Sequence, residues 1–298
     1  MNGRTRRLAL TEGITAGVFF GTASVLIRFL PNTDAFYIAF WRLVIASLAL
    51  VVVLITLRKP FNLGIVRRNL KELVLLSVFL GLHFIFFVSA VKDTTILNAT
   101  VLVNTTPIFS VFVSAFVFKL KPSRFAMLGL IVSFTGMCVI AYAETSTAKT
   151  LTSSSSLKGD FEAILAALVE SFYLNFGRRI RNQMGILSIM LPIYLLATIV
   201  IGVLGAATAN KILELPTEIW IVLPLLGLGL LPTAIAHTLY FSSLSNLKSF
   251  ETATMAFLEP IGATLLGVVL FLEIPAPWFA VGAGLILAGI VFVVRGKV

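Results

Sequence analysis

Cysteine occurs once in 298 residues, at Cys138 inside an apolar run, so neither a disulfide framework nor a cysteine-based metal centre can be assembled. Histidine occurs twice, at His83 and His237 on separate segments, which excludes a zinc motif of the HExxH kind. No aspartate lies deep in any apolar run, so a paired-aspartate intramembrane hydrolase is excluded too, and no enzyme is expected. Charge itself is scarce. Charged residues make up 12% of the chain against 58% hydrophobic, with a mean hydropathy of +1.03, and that leaves too little polar surface for a water-soluble globule. The chain belongs in a bilayer. Its basic head, MNGRTRRLAL, runs on to Leu30 without a small-residue cleavage pattern and reads as a retained first span.

What is present is a series of apolar runs of about 20 residues, the length that crosses a hydrocarbon core of about 30 Å. The charged, Pro and Asn/Ser clusters divide the chain into ten, at 9 to 30, 34 to 57, 70 to 91, 97 to 118, 124 to 143, 160 to 178, 186 to 207, 219 to 242, 250 to 272 and 276 to 294. Pro224 and Pro232 interrupt the eighth and predict a kink or a break there. With the N-terminus inside, seventeen of the 23 Lys and Arg residues fall on the cytoplasmic side and four (Lys92, Lys149, Lys158, Lys211) on the outer side. This asymmetry predicts cytoplasmic N- and C-termini in a multi-pass inner or plasma membrane protein. It also assigns the net charge of +10 to anionic lipid headgroups and leaves no need for nucleic acid.

One stretch reads as a linker: Glu144 to Asp160, ETSTAKTLTSSSSLKGD, polar and without apolar periodicity. It lies at the midpoint and predicts a first five-helix unit over 1–148, an outer loop over 149–159 and a second unit over 160–298. A shift of 153 residues places Pro107 on Pro260, Pro122 on Pro275, Gly129 on Gly282 and Gly136 on Gly289. The same shift places Phe20 on Tyr173 and Arg28 on Arg181, and one further residue places His83 on His237. Five spans per unit is odd, so the second unit enters the membrane from the opposite side. The expected fold class is an all-α polytopic membrane protein of ten transmembrane helices arranged as two inverted five-helix repeats.

Within that frame the sequence FLEPIGATLL in the ninth span matches NATVLVNTTPIFS in the fourth, each with a proline about ten residues in. A proline at mid-depth frees a carbonyl, and freed backbone at that depth is tolerated where it lines a cavity or is buried in protein. Two such helices point to a binding site between the units, with Pro107, Pro232 and Pro260 as candidate hinges.

The segments AFWRLVIASL, ATVLVNTTPIFSVFVSAFVFKLKPSRFAMLGLIVSFTGM and FLEPIGATLLGVVLFLEIPAPWFAVGAGLILAGI resemble the drug/metabolite transporter superfamily in its ten-helix EamA-type branch, and the resemblance covers essentially the whole chain as two copies of one module. It implies a carrier that moves small metabolites, often amino acids or drugs and often outward, through a central cavity. The chain departs from that pattern at VESFYLN, where Glu170 enters the sixth span.

Ionisable groups inside spans are costly when unpaired and therefore mark candidate sites. Arg28 lies near a helix end and can snorkel, and Arg42 reads as a helix-pairing or snorkelling residue. His83, Glu170, His237 and Glu259 are the candidate substrate or proton residues, since burial can bring an imidazole or a carboxyl toward proton exchange near neutrality. Glu259 reads equally as a clasp on the backbone N–H groups beside Pro260. Thr100 and Asn104, at i, i+4 spacing, and the paired aromatics Phe20 and Tyr173 complete the candidate substrate-binding set. The glycines at 129, 136, 282 and 289 read as helix contacts. The expected function is a secondary carrier, an exporter working by alternating access, with protons as the candidate coupling ion, no cofactor, no metal, and a monomer or homodimer as the assembly. An uncoupled facilitator or uptake carrier on the same fold is the alternative, and a non-transporting scaffold is a remote one.

Overall fold

The computed structural model describes residues 4–58, 61–147, 156–207, 212–272 and 275–295. In chain order the helices are α1 (Arg6–Arg28), α2 (Ala35–Thr56), α3 (Leu63–Arg68), α4 (Leu70–Asp93), α5 (Ile96–Val103), α6 (Thr106–Phe116), α7 (Arg124–Thr147), α8 (Leu157–Arg181), α9 (Ile186–Ala206), α10 (Ile219–Leu228), α11 (Thr238–Ser243), α12 (Ser249–Thr254), α13 (Glu259–Phe271) and α14 (Pro277–Arg295). A π-helical segment, Gly229–His237, joins α10 to α11, and a 3₁₀ turn, Met255–Leu258, joins α12 to α13. The fourth crossing is α5 with α6, the eighth runs from α10 to α11, and the ninth from α12 to α13.

Nine runs of the described residues are long and apolar enough to cross a membrane. The tenth crossing is α8. Its apolar middle carries Glu170, and its ends carry Lys158, Asp160 and Glu162 on one side and Arg178, Arg179 and Arg181 on the other, so composition alone misses it. Buried between α4 on one face and α5 and α6 on another, α8 has little need of a continuous lipid-facing stripe.

The repeat is visible in the backbone. The α6 and α13 helices are followed by left-handed residues, Lys119 (φ 55°) and Leu272 (φ 54°), which are 153 positions apart. Where α7 packs against α14, a Cβ on Gly129 would lie 2.5 Å from the Gly289 carbonyl, and one on Gly282 would lie 2.6 Å from the Gly136 carbonyl. Exchanging the halves turns the first contact into the second. Between them the Ser133 hydroxyl donates to the Ile286 carbonyl at 3.2 Å, and these two positions are also 153 apart, so the pseudo-twofold axis passes through this pair. The fold is therefore two five-helix units in opposite orientation.

Several boundaries differ from those read off the sequence. Ser156 precedes α8, which begins at Leu157 and takes the last three residues of the expected 149–159 loop, while residues 148–155 lie outside the described residues. Of the kink or break expected in the eighth crossing, no break is present, and the irregularity takes the form of the π-helical segment Gly229–His237. A π turn accommodates Pro232, and the Thr233 hydroxyl donates to the Leu228 carbonyl at 2.6 Å, satisfying an acceptor near the missing N–H. Pro107 and Pro260 stand in the first turn of α6 and α13, where a missing N–H costs nothing, and the irregular backbone precedes them at Asn104–Thr105 and Met255–Leu258.

Candidate functional site

The two helix discontinuities face each other across the seam between the units. Asn104 ends α5, and its Nδ2 donates to Glu259 Oε2 at 3.0 Å and to the Thr100 carbonyl at 2.9 Å. Glu259 opens α13, an acid in the first turn of its helix. The other discontinuity has its own acid: Thr106 opens α6, and its hydroxyl lies 3.0 Å from Glu170 Oε2 of α8 and 2.8 Å from the Val103 carbonyl. Each half-helix thus begins at a carboxylate, one from its own chain segment and one supplied by a neighbour.

Next to these acids stand the two histidines. His83 Nδ1 is 3.1 Å from the Ala166 carbonyl and 3.9 Å from Glu170 Oε2. A carbonyl only accepts, so Nδ1 carries the hydrogen and Nε2 is the basic nitrogen of the neutral ring. His237 meets His83 edge-on at 5.9 Å between ring centroids and contacts Phe20 and Phe84, each at 4.8 Å. His237 Nδ1 has no hydrogen-bond partner among the described residues.

These groups line a narrow cavity of about 400 Å³, its open mouth included, in which only a few water molecules fit. Of the residues expected from sequence, Phe20, His83, Asn104, Glu170, Pro232, His237 and Glu259 lie on its wall. Four do not. Thr100 is buried behind Asn104 and serves it through its carbonyl. Tyr173 is fully buried against Phe241, with its hydroxyl toward Met190 Sδ at 3.7 Å, so its equivalence to Phe20 in the repeat does not extend to the cavity. Pro260 sits one residue beyond the lining Glu259, and Pro107 three residues beyond the lining Asn104.

Sequence reading assigned Arg42 a helix-pairing or snorkelling role; its burial excludes snorkelling, and its bond to Thr233 joins α2 to the π-helical segment. Arg42 is 1% exposed, lines the cavity, and stacks its guanidinium 4.0 Å from the Phe84 ring centroid. Its Nε donates to Thr233 Oγ1 at 3.0 Å. No carboxylate lies within ion-pair distance of it among the described residues, and Nη1 has no partner. The signal for its placement was present: the buried face of α2 runs Ile38, Ala39, Arg42, Leu43, Ala46, Ser47, Leu50, so the arginine shares the inward stripe.

A family model described as the EamA-like transporter family matches residues 8–142 and 157–295, one copy per unit. An uncharacterized transporter of Archaeoglobus fulgidus is 26% identical over 298 residues, covering 97% of each chain. The uncharacterized transporter YdfC of Bacillus subtilis is 27% identical over 290 residues, covering 95% of this chain and 88% of its own. A crystal structure superposes with a TM-score of 0.78 at 18% identity, covering 97% of this chain and 96% of that one, a likeness of fold.

Proposed function

The chain belongs to the EamA-like transporter family and is a multi-span membrane transporter, and from that premise we propose that it is a secondary exporter of small metabolites, such as amino acids or drugs, working by alternating access in the plasma membrane with both termini cytoplasmic. One observation carries the reading: Arg42, His83, Glu170, His237 and Glu259, five ionisable side chains buried away from the ends of their crossings, converge with both helix discontinuities on one cavity at the pseudo-twofold seam. Placing that many ionisable groups at mid-depth costs stability, and a wet substrate path is the setting in which such a cost is ordinarily found.

In this reading the solute binds against His83, Asn104, Glu170, His237 and Glu259, with Phe20 as an apolar wall. Tyr173 and Thr100 back the site without touching the solute. The halves rock about the irregular backbone next to Pro107 and Pro260 and about the π segment containing Pro232. Protons are the proposed coupling ion, exchanged by the carboxyl and imidazole groups as the cavity changes side. Outward direction rests on the family resemblance.

The test is reconstitution into proteoliposomes and a flux screen over amino acids and related small metabolites, with and without an imposed pH gradient. Flux of at least one solute class, accelerated by the gradient, is the expected outcome. Flux indifferent to the gradient would replace the coupled carrier by an uncoupled facilitator, and immobility of every solute would remove the transport reading of the cavity.

A further inference from the structure

Arg42 is the one cavity-lining cation that is charged at every physiological pH, and its surroundings hold it without neutralising it. Two contacts fix the guanidinium plane. Nε donates to Thr233 Oγ1 at 3.0 Å, and Phe84 covers one face at 4.0 Å. Thr233 is itself immobilised, because its hydroxyl donates to the Leu228 carbonyl and its own carbonyl accepts from Tyr194 Oη at 2.8 Å. No other hydrogen bond joins Arg42 to a described residue, so the terminal Nη1–Nη2 end keeps its donors. Snorkelling is closed to a residue this deeply buried and about 10 Å along α2 from its first residue.

A buried, oriented, unpaired guanidinium whose terminal donors are free is a receptor for a planar anion, because a carboxylate accepts two parallel N–H bonds from that end. The rest of the wall limits the charge such an anion can carry. Arg42 is the lone arginine on the wall, so the cavity offers one bidentate anion site and no second guanidinium for a further negative group. We propose that Arg42 is a specificity-determining substrate residue of this transporter and that the solute presents a single carboxylate to its terminal nitrogens. The inference rests on the transport reading of the cavity and adds to it the chemical class of one end of the solute.

Matched pairs test it in proteoliposomes: phenylalanine against phenylalaninamide, and 3-phenylpropionate against its amide, each scored as a competitor of whichever solute the flux screen finds to move. The wild-type protein is expected to prefer the carboxylate member by about tenfold or more, Arg42→Lys to keep part of that preference, and Arg42→Gln to lose it. The selectivity ratio within one variant is the decisive readout, since an arginine with a purely structural role would depress both members of a pair equally. If Arg42→Gln fails to fold, the wild-type ratio and that of Arg42→Lys decide. Solutes that move with no carboxylate preference in the wild type, or a ratio unchanged in the Arg42 variants, would overturn the proposal and leave the transporter reading standing. Immobility of all solutes overturns both.

Discussion

Glu259 and Asn104 hold one another across the seam, and neither has a substitute. Both are 5% exposed or less, and the 3.0 Å bond from Asn104 Nδ2 is the hydrogen bond that ties the carboxylate to the first unit. Truncating Asn104 to Ala leaves a buried carboxylate oxygen without its donor, a loss of about 1–3 kcal/mol. Glu259→Gln keeps an amide oxygen for the same donor and gives up only the exchangeable proton. Asn104→Ala is therefore expected to lower the melting temperature of the detergent-solubilised protein by several degrees, while Glu259→Gln melts near wild type but moves solute without regard to a pH gradient. The double variant Asn104→Ala/Glu259→Met should lose less than the sum of the losses of Asn104→Ala and Glu259→Met, because the buried oxygen that suffers from the missing donor is then gone. Strict additivity would mean that the bond contributes nothing. Legibility at this scale was uneven for a physical reason. Depth and residue type marked His83, Glu170, His237 and Glu259 directly, because few residue types are costly at mid-membrane. Tyr173 was misplaced because a repeat gives equivalent backbone positions and not equal exposure: α8 presents Glu170 to the cavity and turns Tyr173, one turn further, toward Phe241.

Among the elements, the glycines decide how near the helices come. On α14, Gly282 and Gly284 are two residues apart and chemically identical, but their surroundings differ: a Cβ on Gly282 would lie 2.6 Å from the Gly136 carbonyl, and one on Gly284 would meet nothing within 4 Å. Backbone cannot yield at 2.6 Å without parting α7 from α14, and overpacking of this kind costs about 1–3 kcal/mol. Gly284→Ala has no such cost and gains helix propensity, up to about 1 kcal/mol. Thermal unfolding of the two alanine variants is thus expected to diverge in sign, with Gly282→Ala melting lower than wild type and Gly284→Ala at or above it. Equal melting of both would mean that the close approach of α7 and α14 is not present in the folded protein. The small-residue pattern was readable in sequence as helix contact, but the pairing of Gly129 with Gly289 and Gly136 with Gly282 was not, since a repeat aligns positions along the chain and says nothing of which ones meet across the axis. The prolines show the same limit. Their presence in the fourth and ninth crossings announced irregular backbone, yet a proline is as comfortable in a first turn as after a break, and only the structure puts the irregularity at Asn104–Thr105 and Met255–Leu258.

At the scale of the whole molecule, inversion is what brings two similar units together around one seam. The same end of the fold that holds the start of α1 also holds the α11–α12 connection, where Arg4 pairs with Glu12 and reaches Ser242, and Arg6 pairs with Glu251 at 2.8 Å. The opposite end is tied by Lys158 to Asp93 at 2.6 Å. Because the sequence assigns seventeen of 23 basic residues to the side of the N-terminus and the bilayer's anionic leaflet attracts them, that end should face the cytoplasm. Single cysteines decide it in a Cys138→Ser background, which removes the exposed native thiol. Lys158→Cys, at 71% side-chain exposure, is expected to react with a membrane-impermeant maleimide on intact cells, and Ile65→Cys in the short α3 helix only after permeabilisation. Reaction of both on intact cells would place α3 and the start of α8 on one side of the lipid. The first unit would then make an even number of passes between them, and the inverted arrangement, with the seam cavity that depends on it, could not stand.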